Sequence, residues 1–405
     1  MKIKKILAVV LALAVVFAFA GCTKAPTTEE SSTNDAVASE GTFAKEGTIK
    51  IGGIGPLTGD AAVYGNAVKY GAELAVKEIN AAGGINGYKV EYKMEDDAHD
   101  AEKSVNAYGA LKDWGMQMLM GTVTSVPCTA VSNEAAADNM FLLTPSGSAV
   151  ECLQAGDTLF RVCFSDPNQG VASADYIADN AVAKKIGIIY NSSDVYSTGI
   201  KDKFVEQAAV KNLEIVATEA FTNDSATDFT AQLTNIKAQG AELVFLPIYA
   251  APASLILQQA DTMGFAPIFF GCDGLDGILS VENFDATLAE GVMLLTPFAA
   301  DADDEATQNF VSAYKAAYND EIPNQFAADA YDGIYIIAKL IEQEGITADM
   351  SAADICAKLK VAICADGFSY MGITGAGSAL TWDETGAVSK DPMAVVIKDG
   401  AYVAL

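Results

Sequence analysis

The sequence is poor in positive charge. Its 405 residues contain 25 lysines and arginines against 53 aspartates and glutamates, which gives a formal net charge of -28, and Arg161 is the only arginine. Nucleic-acid binding depends on clustered Lys and Arg side chains, so this composition argues against a nucleic-acid partner. A phosphate site built from several arginines is excluded as well. The acidic balance is typical of a protein that must not adhere to an anionic surface.

Histidine and the common enzyme motifs are also scarce. His99 is the only histidine and there is no C-x-x-C pair, so a zinc site would need mostly Cys or acidic ligands. The chain has no G-x-S-x-G elbow, no H-E-x-x-H pair and no phosphate loop. We therefore expect no metal, no cofactor and no enzymatic activity. A surface glycosidase using two carboxylates is a minor alternative, since the acids form no motif.

Six cysteines lie beyond the N-terminal region, and many disulfide pairings are conceivable among them. They are Cys128, Cys152, Cys163, Cys272, Cys356 and Cys364. Cys152 and Cys163 are close enough in sequence to bridge, and we expect a disulfide there if the geometry permits it. The others are interpreted as structural or free thiols.

The N-terminus has the pattern of a targeting segment. Three lysines precede an apolar run over residues 6–20, which is too short for an ordinary membrane-spanning helix. Residues 19–22 (FAGC) resemble a bacterial lipobox, with Phe19 where Leu is usual, so residues 1–22 are predicted to be a lipoprotein signal peptide with lipidation at Cys22. An uncleaved membrane anchor is the alternative. Either reading places the protein at the outer face of a membrane.

Residues 23–46 are rich in Thr, Ser, Glu, Ala and Pro without an apolar period, and they are predicted to be a disordered tether. The remaining residues, 47–405, are enough for two domains. In them, short apolar runs alternate with helical periodicity in two successive units, and the pattern restarts near residues 165–170. This alternation predicts an α/β fold with mostly parallel sheets and helices on both faces. Late strands are predicted at 379–382 and 393–397.

Two consecutive predicted strands end in small hydroxyl residues. The run 116–120 is followed by Thr122, Thr124 and Ser125, and the run 141–143 is followed by Thr144, Ser146 and Ser148. In open α/β sheets, ligands bind just outside the carboxyl ends of the strands. Helix N-termini there offer unpaired N–H groups, so these hydroxyls predict a site for a small anion such as a carboxylate. The alternative is that Ser125 and Ser146 are ordinary N-caps.

Three further candidates follow strands of the second unit. Tyr196, Tyr249 and Asp273 each come just after a predicted strand. Tyrosines at such places are usually packing residues with a hydrated hydroxyl, and Asp273-Gly274 alone is usually a turn. Their shared position at the ligand-binding edge of a doubly wound sheet favours a binding role.

Motifs along nearly all of residues 47–405 carry a family resemblance. They include 55–59 (GPLTG), 64–65 (YG), 83–87 (GGING), 96–97 (DD), 144–145 (TP), 165–170 (SDPNQG), 330–332 (AYD) and 380–386 (LTWDETG). Together they resemble the branched-chain amino-acid-binding proteins of bacterial ABC importers. The resemblance implies a type I periplasmic binding protein: two Rossmann-like lobes that close on a ligand, joined by a three-crossover hinge. Lobe 1 would comprise residues 47–166 plus 298–388, and lobe 2 residues 167–297 plus 389–405.

The resemblance also implies roles for one end of the site. Ser125 matches a serine that holds the ligand carboxylate. Ser146 matches a position that binds mainly through its backbone, and Ser148 matches a hydroxyl residue at the ligand head group. Pro127 occupies a position where hydroxyl residues are common in relatives. The resemblance therefore does not fix which ligand side chain is preferred.

At the other end, Asp273 matches an acidic residue that pairs with the ligand ammonium. Tyr196 and Tyr249 match aromatic residues of the opposite lobe, and Tyr64 matches an aromatic residue that lines the side-chain end of the ligand. Some members of the family carry a cysteine pair at the positions of His99 and Thr124. This chain lacks the pair, and His99 is interpreted as a plain loop residue.

These observations predict an extracytoplasmic solute-binding lipoprotein of an ABC importer. It would bind a free amino acid, branched-chain or similarly aliphatic, and deliver it to a membrane permease. We expect a monomer, held at the membrane by the lipid at Cys22. The alternative is a sensing receptor of the same fold, for an amide, a peptide or another small molecule, without transport.

Overall fold

The computed structural model describes residues 41–405. The predicted signal peptide, Cys22 and most of the predicted tether lie outside the described residues. Residues 41–46 of that tether form neither helix nor strand. Within residues 41–405, no helix has both the length and the apolar character needed to cross a membrane.

The first sheet is parallel, with strand order β2-β1-β3-β4-β5. Its strands are β1 (Thr48–Gly55), β2 (Lys89–Asp96), β3 (Met118–Met120), β4 (Leu142–Thr144) and β5 (Leu159–Arg161). The helices between them are α1 (Ala62–Ala81), α2 (Ala101–Trp114) and α3 (Ser125–Asp138). β3 and β4 are three-residue apolar strands that are wholly buried, as expected for a sheet covered on both faces.

The second sheet has the order β12-β11-β10-β9-β8-β6-β7. Its strands are β6 (Lys185–Asn191), β7 (Glu214–Phe221), β8 (Leu243–Leu246), β9 (Ile268–Gly271), β10 (Met293–Thr296), β11 (Met393–Lys398) and β12 (Ala401–Ala404). The helices α4 (Asp166–Asp179), α5 (Val195–Val210), α6 (Thr230–Ala238) and α7 (Ala250–Thr262) connect them. β6 to β10 pair in parallel, whereas β11 and β12 are antiparallel.

The last three helices pack with the first sheet, although they lie in sequence between β10 and β11 of the second sheet. They are α8 (Glu305–Ala317), α9 (Gln325–Gln343) and α10 (Ala352–Ile363). α8 and α9 contact α1, and α9 and α10 contact β3. The chain therefore passes between the two sheets three times: after β5, after β10 and before β11. This arrangement confirms the predicted α/β class with two lobes.

Three elements differ from the sequence-based prediction. Residues 379–382 are not a strand, because Leu380 and Trp382 take part only in isolated bridges. β12 was not predicted. It follows a turn at 399–400 and completes a short antiparallel hairpin with β11, which a pattern based on parallel units does not anticipate. The sequence pattern predicts a helix over 171–181, but α4 begins at Asp166, because Ser165 caps it and Pro167 suits a first helical turn.

The expected disulfide between Cys152 and Cys163 is wrong. All six cysteines of residues 41–405 are free thiols. The Cys152 sulfur faces α3, 3.6 Å from the Ser125 carbonyl oxygen. Cys163 lies in a separate buried position near the charges of Asp329 and Lys390. Nearness in sequence did not bring the two sulfurs together.

Candidate functional site

A small cavity lies where the carboxyl ends of the two sheets face each other. Its volume is about 10 Å³, which is near the minimum for one water molecule. It is lined by Tyr64, Val123, Thr124, Ser146, Ser148, Tyr196, Tyr249, Asp273, Gly274 and Phe326. Six of the seven predicted ligand residues are thus brought to one place, and Ser125 lies directly beside it.

The start of α3 forms one wall. Thr124 occupies the N-cap position, yet among residues 41–405 its side chain caps no N–H group of the helix. Its hydroxyl is instead paired with the Nδ1 atom of His99 at 2.8 Å. Pro127 in the first turn has no N–H group, so it forfeits no helical hydrogen bond. The first N–H groups of α3 are therefore left to interact with an anion.

Ser125 is the first residue of α3 and only 1% exposed. Its hydroxyl oxygen accepts a hydrogen bond from the Ala149 N–H at 3.2 Å. Ser125 is therefore not an N-cap, and its hydroxyl joins the start of α3 to the neighbouring loop.

The loop after β4 forms the adjoining wall. Thr144 shapes it, because its hydroxyl oxygen accepts from the Gly147 N–H at 2.8 Å. The Ser146 hydroxyl donates to the Val123 carbonyl at 2.7 Å, so Ser146 is not an N-cap either. The buried Arg161 donates to the carbonyl oxygens of Ser148 and, at 3.0 Å, Ala149. The single arginine thus supports the loop that carries the predicted carboxylate contacts.

Asp273 forms the opposite wall, immediately after β9. Its Oδ1 atom accepts a hydrogen bond from the Tyr196 hydroxyl at 2.7 Å, and the Tyr196 oxygen accepts from the Gly274 N–H at 2.9 Å. Its own N–H donates to Gln169 Oε1 at 3.1 Å. Burial raises the pKa of Asp273 to about 6, although these hydrogen bonds favour the charged form. A cationic group placed here would offset the free-energy cost of burying the ionised carboxylate.

A second buried acid, Asp166, lies close to this wall. Asp166 is 1% exposed, and neither of its carboxylate oxygens has a hydrogen-bond partner within residues 41–405. Burial raises its pKa well above the usual value, and the charge of Asp273 raises it further. Within the same residues, no group of three or more His, Cys, Asp or Glu side chains is arranged to hold a metal ion. The wall is suited to an organic cation.

Aromatic rings close the remaining side of the cavity. Tyr249 stacks on Tyr196 with ring centroids 4.8 Å apart. Tyr64 lies against Tyr249 at 5.4 Å and against Phe326 at 4.7 Å. His99 meets the Tyr249 ring edge-on at 5.4 Å. The expectation that His99 is a plain loop residue is therefore wrong, since it supports both Tyr249 and Thr124.

Hydrogen bonds join the two lobes around the cavity. The Tyr64 hydroxyl donates to the Gly274 carbonyl at 2.6 Å and accepts from the Ala250 N–H at 2.7 Å. At the start of α9, Gln325 Nε2 donates to the Asp273 carbonyl at 2.9 Å. The lobes are closed in this arrangement.

Sequence reasoning missed several contributors. Val123, Thr124, Gly274 and Phe326 line the cavity but were not among the predicted ligand residues. Thr124 was noted as one of the strand-end hydroxyls. The only sequence signal at Arg161 is that it is the single arginine of the chain.

Known proteins resemble the chain in sequence and in structure. The Leu/Ile/Val-binding protein homolog 3 of Brucella melitensis is 32% identical over 288 residues, which cover 69% of this chain and 75% of that protein. The leucine-, isoleucine-, valine-, threonine- and alanine-binding protein of Pseudomonas aeruginosa is 30% identical, over 68% of this chain and 72% of that protein. The branched-chain amino acid transporter substrate-binding protein LivJ of Streptococcus pneumoniae, solved in complex with isoleucine, superimposes with a TM-score of 0.79 at 28% identity. That structural match covers 88% of this chain and 99% of LivJ.

The family match covers more of this chain than either of the two sequence pairs does. A model of the periplasmic binding protein family matches residues 48–396, from the first strand into β11. It therefore spans both sheets and all three passages between them. The chain belongs to the periplasmic binding protein family.

Proposed function

We propose that this protein is the solute-binding component of an ABC importer and that it binds a free amino acid with a branched-chain or similar aliphatic side chain. One observation carries the proposal: an acid wall at Asp273 faces, across an inter-lobe cavity, a wall of hydroxyls and free helical N–H groups. A zwitterion has the matching pair of charges. The ligands named for the relatives from B. melitensis, P. aeruginosa and S. pneumoniae support the same class.

The carboxylate end of the ligand would bind in lobe 1. The first turn of α3 supplies N–H groups and positive partial charge, and Ser125, Ser146 and Ser148 supply hydroxyl and backbone donors. Arg161 lies behind this loop, where its guanidinium is committed to the Ser148 and Ala149 carbonyls. Its role is to position the loop.

The ammonium end would bind in lobe 2. Asp273 would accept from the ligand ammonium, with Tyr196 holding the carboxylate through its 2.7 Å hydrogen bond. Tyr64 and Tyr249 would contact the aliphatic side chain, together with Phe326. Because the closed cavity is so small, the walls must separate to admit an amino acid. A ligand that touches both walls then favours closure by its higher affinity for the closed state.

The lobes we propose comprise residues 47–166 plus 298–388 and residues 167–297 plus 389–405. Packing of α8, α9 and α10 beside the first sheet, and pairing of β11 with β10, support these boundaries. The closed form would dock on a membrane permease and release its ligand there. We propose a carrier without enzymatic activity.

The protein would act outside the cytoplasm as a monomer tethered by a lipid at Cys22. The sequence at residues 19–22 and the membership of a periplasmic binding protein family support this placement. Changing Cys22→Ser should release the protein from the membrane or leave an uncleaved precursor. Unchanged lipid labelling of the variant would contradict the anchor.

Titration calorimetry of the purified protein against a panel of amino acids tests the function directly. We expect aliphatic amino acids to bind, and to raise the melting temperature by an amount that grows with the logarithm of their affinity. The deaminated acids of the same side chains serve as matched control ligands and should bind far more weakly. Equal binding of both sets would contradict the proposal. Deleting the gene should abolish high-affinity uptake of the ligand; intact uptake alongside tight binding would favour the sensing alternative.

A further inference from the structure

Two buried cysteines lie together directly behind the candidate site. Cys128, in the first turns of α3, and Cys152, in a 3-10 turn at Val150–Leu153, form a small cluster with Ala149. All three residues are 0% exposed. The Cys152 sulfur lies 3.6 Å from the Ser125 carbonyl oxygen and 3.9 Å from the Thr129 hydroxyl. The Cys152 sulfur therefore contacts a residue of α3 that precedes Cys128 and a residue that follows it.

A second set of contacts places the Cys128 sulfur at the same contact between α3 and the loop. The Ser132 hydroxyl donates to the Cys152 carbonyl at 2.7 Å and lies 4.0 Å from the Cys128 sulfur. On the loop side, a Cβ atom at Gly147 would lie only 2.7 Å from that sulfur. Glycine at this position thus lets the loop close over Cys128. The two cysteines face each other where α3 meets the segment 146–152.

The two thiols differ in acidity. The neighbouring Cys152 thiol is the main cause that lowers the pKa of Cys128, even though Cys128 is buried. Burial raises the pKa of Cys152 well above its usual value. One sulfur can thus act as the thiolate nucleophile while the other still holds its proton. Thiol–disulfide exchange begins from such a thiolate.

We propose that Cys128 and Cys152 form a disulfide that fixes the start of α3 to the loop carrying Ser146 and Ser148. The Cys128 thiolate attacks one sulfur of an oxidising disulfide, such as the disulfide of a dithiol oxidase or of oxidised glutathione. The other sulfur of that disulfide leaves as a thiolate. Cys152 then loses its proton and attacks the Cys128 sulfur, which releases the second thiol of the oxidant. Two electrons and two protons pass to the oxidant. Because both sulfurs are buried, the exchange occurs during folding or when the turn at Val150–Leu153 opens.

No other pair of cysteines in residues 41–405 is as well placed. Cys356 and Cys364 lie on one helix, α10 and its C-cap, eight residues apart. Their axial separation of about 12 Å exceeds the roughly 7 Å that a disulfide can span. Cys272 lies in the second sheet's lobe, where its sulfur is 3.7 Å from the Ser173 hydroxyl. An extracytoplasmic location would supply the oxidising surroundings that the pair needs.

The bridge would close a loop that contains β4 and the turn bearing Thr144, Ser146 and Ser148. Closing a loop of this length restricts the unfolded chain, so the oxidised protein should be more stable than the reduced one. We expect its melting temperature to be higher by about 5–10 °C. A reductant should remove the difference.

Alkylation of the full chain tests the bridge. The protein is treated with oxidised glutathione, denatured in the presence of iodoacetamide without reductant, and digested for mass spectrometry. We expect four of the six cysteines of residues 41–405 to be alkylated, and one linked peptide pair containing Cys128 and Cys152. Alkylation of all six, or a linkage between any other two cysteines, would overturn the proposal.

Single serine variants provide the controls. Cys128→Ser and Cys152→Ser should each show five alkylated cysteines and lose the reductant-dependent shift in melting temperature. Cys364→Ser alters the one cysteine of residues 41–405 that is not buried, and it should keep both the linked peptide and the shift. A shift that persists in the Cys152→Ser variant would contradict the bridge. The peptide map of the unmodified protein gives an answer even if a variant fails to fold.

Discussion

The Tyr64 hydroxyl donates a hydrogen bond to the Gly274 carbonyl oxygen at 2.6 Å. Tyr64 belongs to α1, beside the first sheet, and Gly274 follows β9 of the second sheet. The same phenolic oxygen accepts the Ala250 N–H at 2.7 Å. One side chain therefore makes two hydrogen bonds across the cleft, and both depend on the lobes being closed.

Changing Tyr64→Phe removes these two bonds and keeps the ring. Each is worth about 1 kcal/mol, so the closed, ligand-bound state should lose about 2 kcal/mol. Ligand affinity should fall roughly thirtyfold by calorimetry. Tyr318→Phe is the matched control, because among residues 41–405 the Tyr318 hydroxyl bonds only to the Tyr70 carbonyl, within the first lobe. If both variants bind the ligand as the unaltered protein does, the Tyr64 bonds do not stabilise the bound state.

Changing Ser125→Ala tests the carboxylate end. The change removes a donor from the proposed carboxylate site and leaves the Ala149 N–H without its 3.2 Å partner. Losing a hydrogen bond to a charged group costs about 1.5–3 kcal/mol of ligand binding. Ser132→Ala removes a buried hydroxyl from the same helix, away from the cavity, and should lower stability without lowering affinity. Equal affinity losses in both variants would mean that Ser125 acts only through the packing of α3.

Changing Arg161→Lys tests the support of the loop. A lysine ammonium cannot reproduce the two-pronged contact of the guanidinium with the Ser148 and Ala149 carbonyls. We expect the free energy of unfolding in urea to fall by about 2 kcal/mol and ligand affinity to fall with it. Lys360→Met breaks a surface pair with Asp157 and should cost less than about 1 kcal/mol. Similar losses in the two variants would show that the buried arginine has no special structural role.

The pH dependence of binding should report on Asp273. Its pKa of about 6 means that the carboxyl group of the ligand-free protein is mainly protonated below that pH and ionised above it. An ammonium ligand needs the ionised form, so affinity should be high above pH 6 and fall by up to about tenfold per pH unit below it. The ligand's own charged groups titrate outside this window.

Neighbouring buried acids require a control for that measurement. The pKa values of several are raised by burial: Asp166, Asp194, Asp276 and Asp329. The Asp273→Asn variant keeps all of them and removes only the group in question. Its affinity should therefore lack the decrease near pH 6. Parallel profiles for the variant and the unaltered protein would assign the dependence to the other acids.

Much of the fold follows from local signals in the sequence. Such signals are local: an apolar run predicts β8 at 243–247, and helical spacing predicts α1 at 64–82. Both elements lie within two residues of these bounds. β12 is different, because a four-residue strand gains its stability from pairing with β11 rather than from its own pattern. The bridges of Leu380 and Trp382 depend in the same way on distant partners.

In the candidate site, too, some residues can be located from local sequence signals and others only from tertiary packing. Hydroxyls and acids at strand ends can be located from sequence, because the topology of a doubly wound sheet gathers strand ends at one edge. The roles of His99 and Arg161 cannot be located in this way. His99 bonds to Thr124 and Arg161 bonds back to Ser148, and both contacts arise from the packing of loops. Cys128 and Cys152 likewise lie together because of tertiary packing.

The central claim is that a zwitterion bridges the two lobes, with its ammonium on Asp273. Asp273→Asn keeps the shape of the side chain and removes its charge. A ligand ammonium buried without that charge would lose about 3–5 kcal/mol. The affinity of an aliphatic amino acid should then fall by roughly two to three orders of magnitude.

The most direct test is a thermodynamic cycle measured by calorimetry, with the unaltered protein and Asp273→Asn each titrated with an aliphatic amino acid and with its deaminated analogue. We predict a large loss for the amino acid and a far smaller loss for the analogue, which never used the charge. If both ligands lose the same affinity, Asp273 holds the loop after β9 rather than the ligand, and the claim of a bridging zwitterion is contradicted.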